Sequence, residues 1–204
     1  VGHRQAMGTL RELLSSDAPD MRAIEIHLDG LDASARVDEV RSLGRAAQSR
    51  LFDAAEGFKP ITLDAIVPRS RGAMSEVVHY GKNTLPAFSH FAKVFIRPDD
   101  ERAGELWGYN RAGGFVETVV GPGYFVAYPY EVAGEILVDY LRIPPRRLEH
   151  WPAILPNSAR LSMVVYDGTQ DILRGASEHV TIGRATKGGK PMSAWFTLCR
   201  DDAS

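Results

Sequence analysis

One cysteine, Cys199, stands in 204 residues, so the chain can form no internal disulfide and can supply no cysteine-only metal site by itself. A reducing cytoplasm is the expected setting. Nowhere do about 18 apolar residues run together, the length a membrane-spanning helix needs, and the opening stretch from Val1 to Leu10 carries His3, Arg4 and Gln5 in place of a signal-type apolar run. Neither a membrane span nor an export signal is expected. Basic excess is missing too: 24 Lys and Arg face 26 Asp and Glu, with a pI near 6.3, so no overall positive field exists to hold a nucleic acid.

Compact catalytic signatures are equally scarce. The six histidines, His3, His27, His79, His90, His150 and His179, include no pair two or four residues apart, the spacings that would put two imidazoles on one face of a strand or helix. No metal and no cofactor is therefore expected. Gly183 to Lys190 looks superficially like a phosphate loop, but Pro191 stands where Ser or Thr would hold magnesium. Gly121 and Gly123 lack a third glycine and a strand-to-helix context, and no Gly-x-Ser-x-Gly elbow occurs.

What the chain does contain is a helical beginning and a strand-rich remainder. Met7, Leu10, Leu13 and Leu14 recur at three- and four-residue spacing, and Ile24, Leu28 and Leu31 mark a second short helix. Val37, Val40, Leu43, Ala47, Leu51 and Ala54 form one stripe, which predicts a long helix over 34–56 with Ser34 as N-cap and Gly57 as its stop. Residues 62–67 read either as one helical turn capped by Thr62 or as a strand.

Beyond Pro60 the period shortens to two. Candidate strands cover 76–80, 92–97, 105–109, 115–120, 124–128, 135–142, 160–166, 179–184 and 193–199. Gly113 and Gly114, then Gly121, Pro122 and Gly123, punctuate a three-strand meander over 105–128. Lys187, Gly188, Gly189 and Lys190 spell a tight hairpin, because paired glycines accept positive φ. A short helix with Thr169 as cap and Ile172, Leu173 and Ala176 as its apolar side is expected within 167–177. The connection 143–157, with Pro144, Pro145, Pro152 and Pro156, is long enough to serve as a lid or rim.

Together these predict a single α+β domain over 1–204. A helical arm (4–57) packs on an antiparallel sheet of eight to nine strands (60–204) that curls into a barrel or half-barrel. Such a structure can hold one small ligand.

Two constellations carry polar chemistry. Between Glu76 and Asp99 no acid interrupts His79, Lys82, His90, Lys93 and Arg97, while Tyr80, Phe88, Phe91 and Phe95 add aromatic surface. That composition suits an amphipathic ligand with a carboxylate or phosphate, although packing aromatics and solvated Lys82 and Lys93 explain the same residues. The second comprises Asp139, Tyr140, Tyr166, Arg174, His179 and Arg184. Alternation over 135–142 puts Asp139 among apolar neighbours, where a carboxylate either pairs with a cation or stays protonated. A structural ion pair accounts for it as well as a general base does.

The leading expectation is a small-molecule binder. Tyr80, Phe91, Phe95, Trp107, Phe125 and Tyr140 form aromatic walls, His79, Lys82, Asn83 and His90 orient the ligand, Trp151 covers the mouth, and His179 and Arg184 add charge. The first alternative is a metal-free acid–base enzyme, an isomerase, cyclase or hydrolase, with His79 or Asp139 as base and Lys82, Asn83 or Arg184 stabilising negative charge. The second is an interaction protein that forms a homodimer through edge strands or helices. Trp195 and Cys199 read as core, the cysteine as a structural thiol.

Overall fold

In the computed structural model the described residues are 8–86, 89–100, 104–111, 122–154 and 168–201. Four helices come first: α1 (Leu10–Leu13), α2 (Met21–Asp29), α3 (Ala33–Ser42) and α4 (Arg45–Ala54). The first three begin where a side chain satisfies free N–H groups, whereas α4 has no side-chain cap. Thr9 and Glu12 make a reciprocal capping box on α1, and Asp20 accepts from Arg22 and Ala23 at the start of α2. The stripe over 34–56 does not form one helix. Leu43 takes an extended ψ of 129° and Gly44 follows as the next N-cap, so the apolar stripe continues across a break, and the helices on both sides of it pack on the sheet. The cap of α3 is Asp32, which accepts from Ala35, rather than Ser34, whose hydroxyl donates to the same carboxylate.

A fifth helix of one turn, α5 (Leu63–Ile66), precedes eight strands. They are β1 (Val77–Asn83), β2 (His90–Ile96), β3 (Leu106–Arg111), β4 (Tyr124–Pro129), β5 (Ile136–Asp139), β6 (Thr169–Gly175), β7 (Val180–Lys187) and β8 (Lys190–Arg200). Every strand pairs antiparallel with its sequence neighbour, and β8 returns to β1 to close a barrel. Closure removes exposed edges, which an open sheet of this size would present to other chains.

Two further expectations change. Residues 167–177 contain β6 instead of a helix, because Thr169, Asp171, Leu173 and Gly175 face inward while the intervening residues face out, a period of two. The meander over 105–128 is replaced by direct pairing of β3 with β4. The candidate strands 115–120 and 160–166 lie outside the described residues. The β7–β8 hairpin forms as expected, with Gly188 and Gly189 at φ of +56° and +74°.

Both faces of the barrel wall are covered. Inside, Val77, Phe95, Leu106, Phe125, Val138 and Leu173 pack together, and Ile61, Leu63, Ile66 and Val67 around α5 join them at one end. Outside, α2 to α4 lie over Val180, Ile182, Trp195 and Cys199. On the far side Leu148, Trp151 and Ile154 cover Val94, Trp107, Tyr109 and Tyr124. Within 143–154 the proline-rich connection is thus fastened to the outer wall, with Tyr124 Oη donating to the Pro152 carbonyl at 2.5 Å. No helix among the described residues is long and apolar enough to cross a membrane.

Candidate functional site

Register decides which side chains meet in the lumen. Lys93 pairs with His79 on β1 and with Asn110 on β3, and all three share the inner face with Phe91 and Phe95. The Lys93 side chain is not solvated: the residue is 1% exposed, among the largest fully buried side chains. Its ammonium donates to Asn110 Oδ1 at 3.0 Å, to Asp171 Oδ2 at 3.2 Å and, in a short contact, to Tyr140 Oη. Asn110 Nδ2 donates to Tyr140 Oη at 2.9 Å, and Tyr140 donates in turn to Asp171 at 3.2 Å. Burial pulls the lysine below its ordinary pKa, and the Asp171 carboxylate opposes that shift.

Four aromatic rings surround the ammonium: Phe125, Tyr140, Phe196 and Phe91, with centroids 4.9–5.8 Å from Nζ. Three of them are inset against glycines. A Cβ at Gly108 would meet the Phe125 ring at 2.5 Å, one at Gly183 the Phe196 ring at 2.1 Å, and one at Gly81 the Phe91 ring at 3.1 Å. Strand-interior glycine weakens a sheet, so its use here marks hollows that admit the rings. Lys93, Asn110 and Asp171 were not among the expected site residues. The signal for Lys93 was its place in the alternation between Phe91 and Phe95, whereas reading 167–177 as a helix hid Asp171.

A second polar group lies where α5 meets the barrel. His79, 1% exposed, donates from Nε2 to the Ile66 carbonyl at 2.9 Å, and its ring stands edge-on to Phe95 with centroids 5.0 Å apart. Burial, partly opposed by that hydrogen bond and reinforced by Arg200, pushes its pKa down to about 4. Below its ordinary value of 6.5 the unfolded chain binds the proton that the folded one refuses, so stability is complete above pH 6.5 and falls as pH drops toward 4. The loss should reach about 3 kcal/mol. Urea unfolding at pH 7, 5.5 and 4 measures it, and His79→Phe should flatten that part of the profile.

The remaining expected residues are dispersed. Phe91, Phe95, Phe125 and Tyr140 are luminal, but Tyr80 and Trp107 lie on the outer face, Tyr80 beneath Arg41 and Trp107 donating to Glu105 at 2.9 Å. Asn83 ends β1 and accepts from the Leu85 amide at 3.0 Å. Lys82 and His90 are cross-strand partners on the outside. Arg184 stacks over Trp195 and donates to Met192, also outside. Trp151 is buried against Tyr109 and Tyr124 and donates to Glu76, which removes it from any mouth. His179 accepts from Arg200 at 3.1 Å near His79.

Asp139 does not meet His79. It faces outward, accepting from Tyr128 Oη at 2.7 Å and from the Leu141 amide at 2.9 Å. Burial and the hydrogen bond to Asp139 raise the Tyr128 pKa to about 12. The wall of the barrel separates the two residues, so they cannot act as acid and base on one substrate. Among the described residues no three His, Cys, Asp or Glu gather as a metal site.

Comparison with protein-family models finds no match, and neither curated proteins nor solved structures yield one. Geometry must carry the function.

Proposed function

We propose that the barrel binds a small amphipathic molecule at Lys93, Asn110, Tyr140 and Asp171. One observation supports this most: an ammonium is held inside an aromatic cage where an apolar side chain would fill the space without desolvating a charge. Buried polar groups retained at such a cost concentrate at functional sites. Because Asp171 already balances Lys93, the ligand head does not need a charge. A carbonyl or hydroxyl that exchanges hydrogen bonds with Tyr140 and Asn110 suffices, and Phe91, Phe125 and Phe196 receive the apolar body.

Native mass spectrometry of protein purified without additives tests this reading. A small molecule released on denaturation, and retained at least tenfold less by Tyr140→Phe, is the expected result. No retained mass, together with no thermal shift from a panel of small aromatic and aliphatic ketones and alcohols, would overturn it.

The Tyr140 hydroxyl also bridges Lys93 and Asp171, which favours acid–base chemistry as the second reading. In that case Tyr140, rather than His79 or Asp139, exchanges the proton with the ligand. Turnover of a retained ligand that disappears in Tyr140→Phe, with binding preserved, separates catalysis from capture.

A further inference from the structure

The cleft between α5 and the barrel end has a volume of about 300 Å³, and its walls include Lys59, Asp64, His79, His179, Thr181 and Arg200. Lys93, Asn110, Tyr140 and Asp171 lie outside it, and of its lining only His79 neighbours Lys93, as its cross-strand partner. Three inward positions on adjacent strands converge there: Thr181 on β7, Arg200 on β8 and His79 on β1.

Two buried polar atoms at this cleft have no hydrogen-bond partner among the described residues, His79 Nδ1 and Thr181 Oγ1. Their residues are 1% and 6% exposed, so bulk water does not serve them freely. The Nε2–H of His79 is committed to the Ile66 carbonyl, which leaves Nδ1 as a bare acceptor on a neutral ring. Only a hydrogen-bond donor can satisfy it.

Among the described residues the charges around the cleft leave one cation unbalanced. Lys59 is spent on Glu25 at 2.6 Å, and Asp64 on Arg69 and Arg97 at 2.7 and 2.8 Å. Glu178, whose side chain is 69% exposed, stands 3.9 Å from His179. Arg200 uses two N–H groups on the Ala65 carbonyl and His179 Nδ1, and no carboxylate of the described residues pairs with it. Its remaining donors form a planar fork suited to a carboxylate.

We infer that this cleft is a second binding site, for a small hydroxycarboxylate: the carboxylate on Arg200, the hydroxyl donating to His79 Nδ1, and Thr181 Oγ1 completing the hydrogen bonds. An anion alone would leave the imidazole acceptor unsatisfied, and a neutral alcohol would leave Arg200 unbalanced. Both halves of the ligand are needed.

The test uses the intact protein and L-lactate, propionate, lactamide and inorganic phosphate as probes, read by calorimetry and by ¹⁵N resonances of the His79 imidazole, assigned with His79→Phe. Lactate should bind saturably and move the Nδ1 signal, whereas propionate and lactamide should bind at least tenfold more weakly and leave it in place. Arg200→Met should abolish lactate binding. Should that variant fail to fold, the probe series on the unmodified protein decides alone. Equal affinity for lactate and propionate, preference for phosphate, or lactate binding without a change at His79 would each overturn the proposal. The luminal reading would survive any of these results, since no variant replaces Lys93, Asn110, Tyr140 or Asp171 and each result is read on the protein with His79 intact.

Discussion

Replacing Lys93 with methionine is expected to lower the unfolding free energy by about 3–5 kcal/mol, even though methionine fills similar space and suits an aromatic cage. The loss comes from what remains. Asp171 is 6% exposed and keeps a carboxylate whose balancing ammonium has gone, with only the Tyr140 hydroxyl hydrogen-bonded to it among the described side chains. Changing both residues, Lys93→Met with Asp171→Leu, removes the uncompensated charge and should recover the unmodified stability to within about 2 kcal/mol or exceed it. Urea unfolding of the two single variants and the double variant forms a complete cycle. A double variant no more stable than Lys93→Met alone would show that the pair holds the barrel together, and would remove the energetic ground for a binding role. Recovery of stability with loss of ligand retention is the outcome that a functional centre requires.

Gly108→Ala should be comparably damaging, at more than about 3 kcal/mol, the upper end of overpacking costs. An added Cβ would sit 2.4 Å from the Val94 carbonyl and 2.5 Å from the Phe125 ring. The carbonyl is held in the β2–β3 ladder, and the ring is hemmed in by Phe95 and Tyr140, with centroids 5.1 and 5.6 Å away, and by the ammonium of Lys93, 5.0 Å from its centroid. The three atoms nearest a Cβ at Gly183 all belong to the Phe196 ring and none to the backbone, so the cost of Gly183→Ala should be smaller, about 1–3 kcal/mol. Gly188→Ala meets nothing within 4 Å and carries only the penalty of a positive φ, about 1–2 kcal/mol. Thermal or urea unfolding should rank the three in that order. If Gly108→Ala lay within about 1 kcal/mol of the unmodified protein, the rings would not be wedged as described.

Local chemistry made much of the architecture legible. Thr9, Asp20 and Asp32 start their helices through their own side chains, and Gly188 and Gly189 turn the last hairpin because positive φ is open to them. Alternation also sets Asp139, at the end of β5, and Tyr140, just beyond it, on opposite faces, as the structure has them. Such features depend on residues a few positions apart, and the antiparallel barrel with helices before it follows from their succession.

Which face of each strand would become the lumen was settled only by the tertiary structure. In a half-solvated sheet one face is polar, and the alternation labels it; here the outer wall is covered by α2 to α4 and by Leu148, Trp151 and Ile154, so both faces are apolar and the label is lost. Asp139 therefore read as interior and lies outside, while Lys93 read as solvated and is caged. The luminal centre draws on β2, β3 and β6 and on Tyr140 just beyond β5, and the cleft on β1, β7, β8 and α5, groups brought together by ring closure between strands far apart in the chain. Spacing along a sequence carries no trace of such a meeting, because it is made by hydrogen-bond register across the sheet rather than by periodicity within a strand.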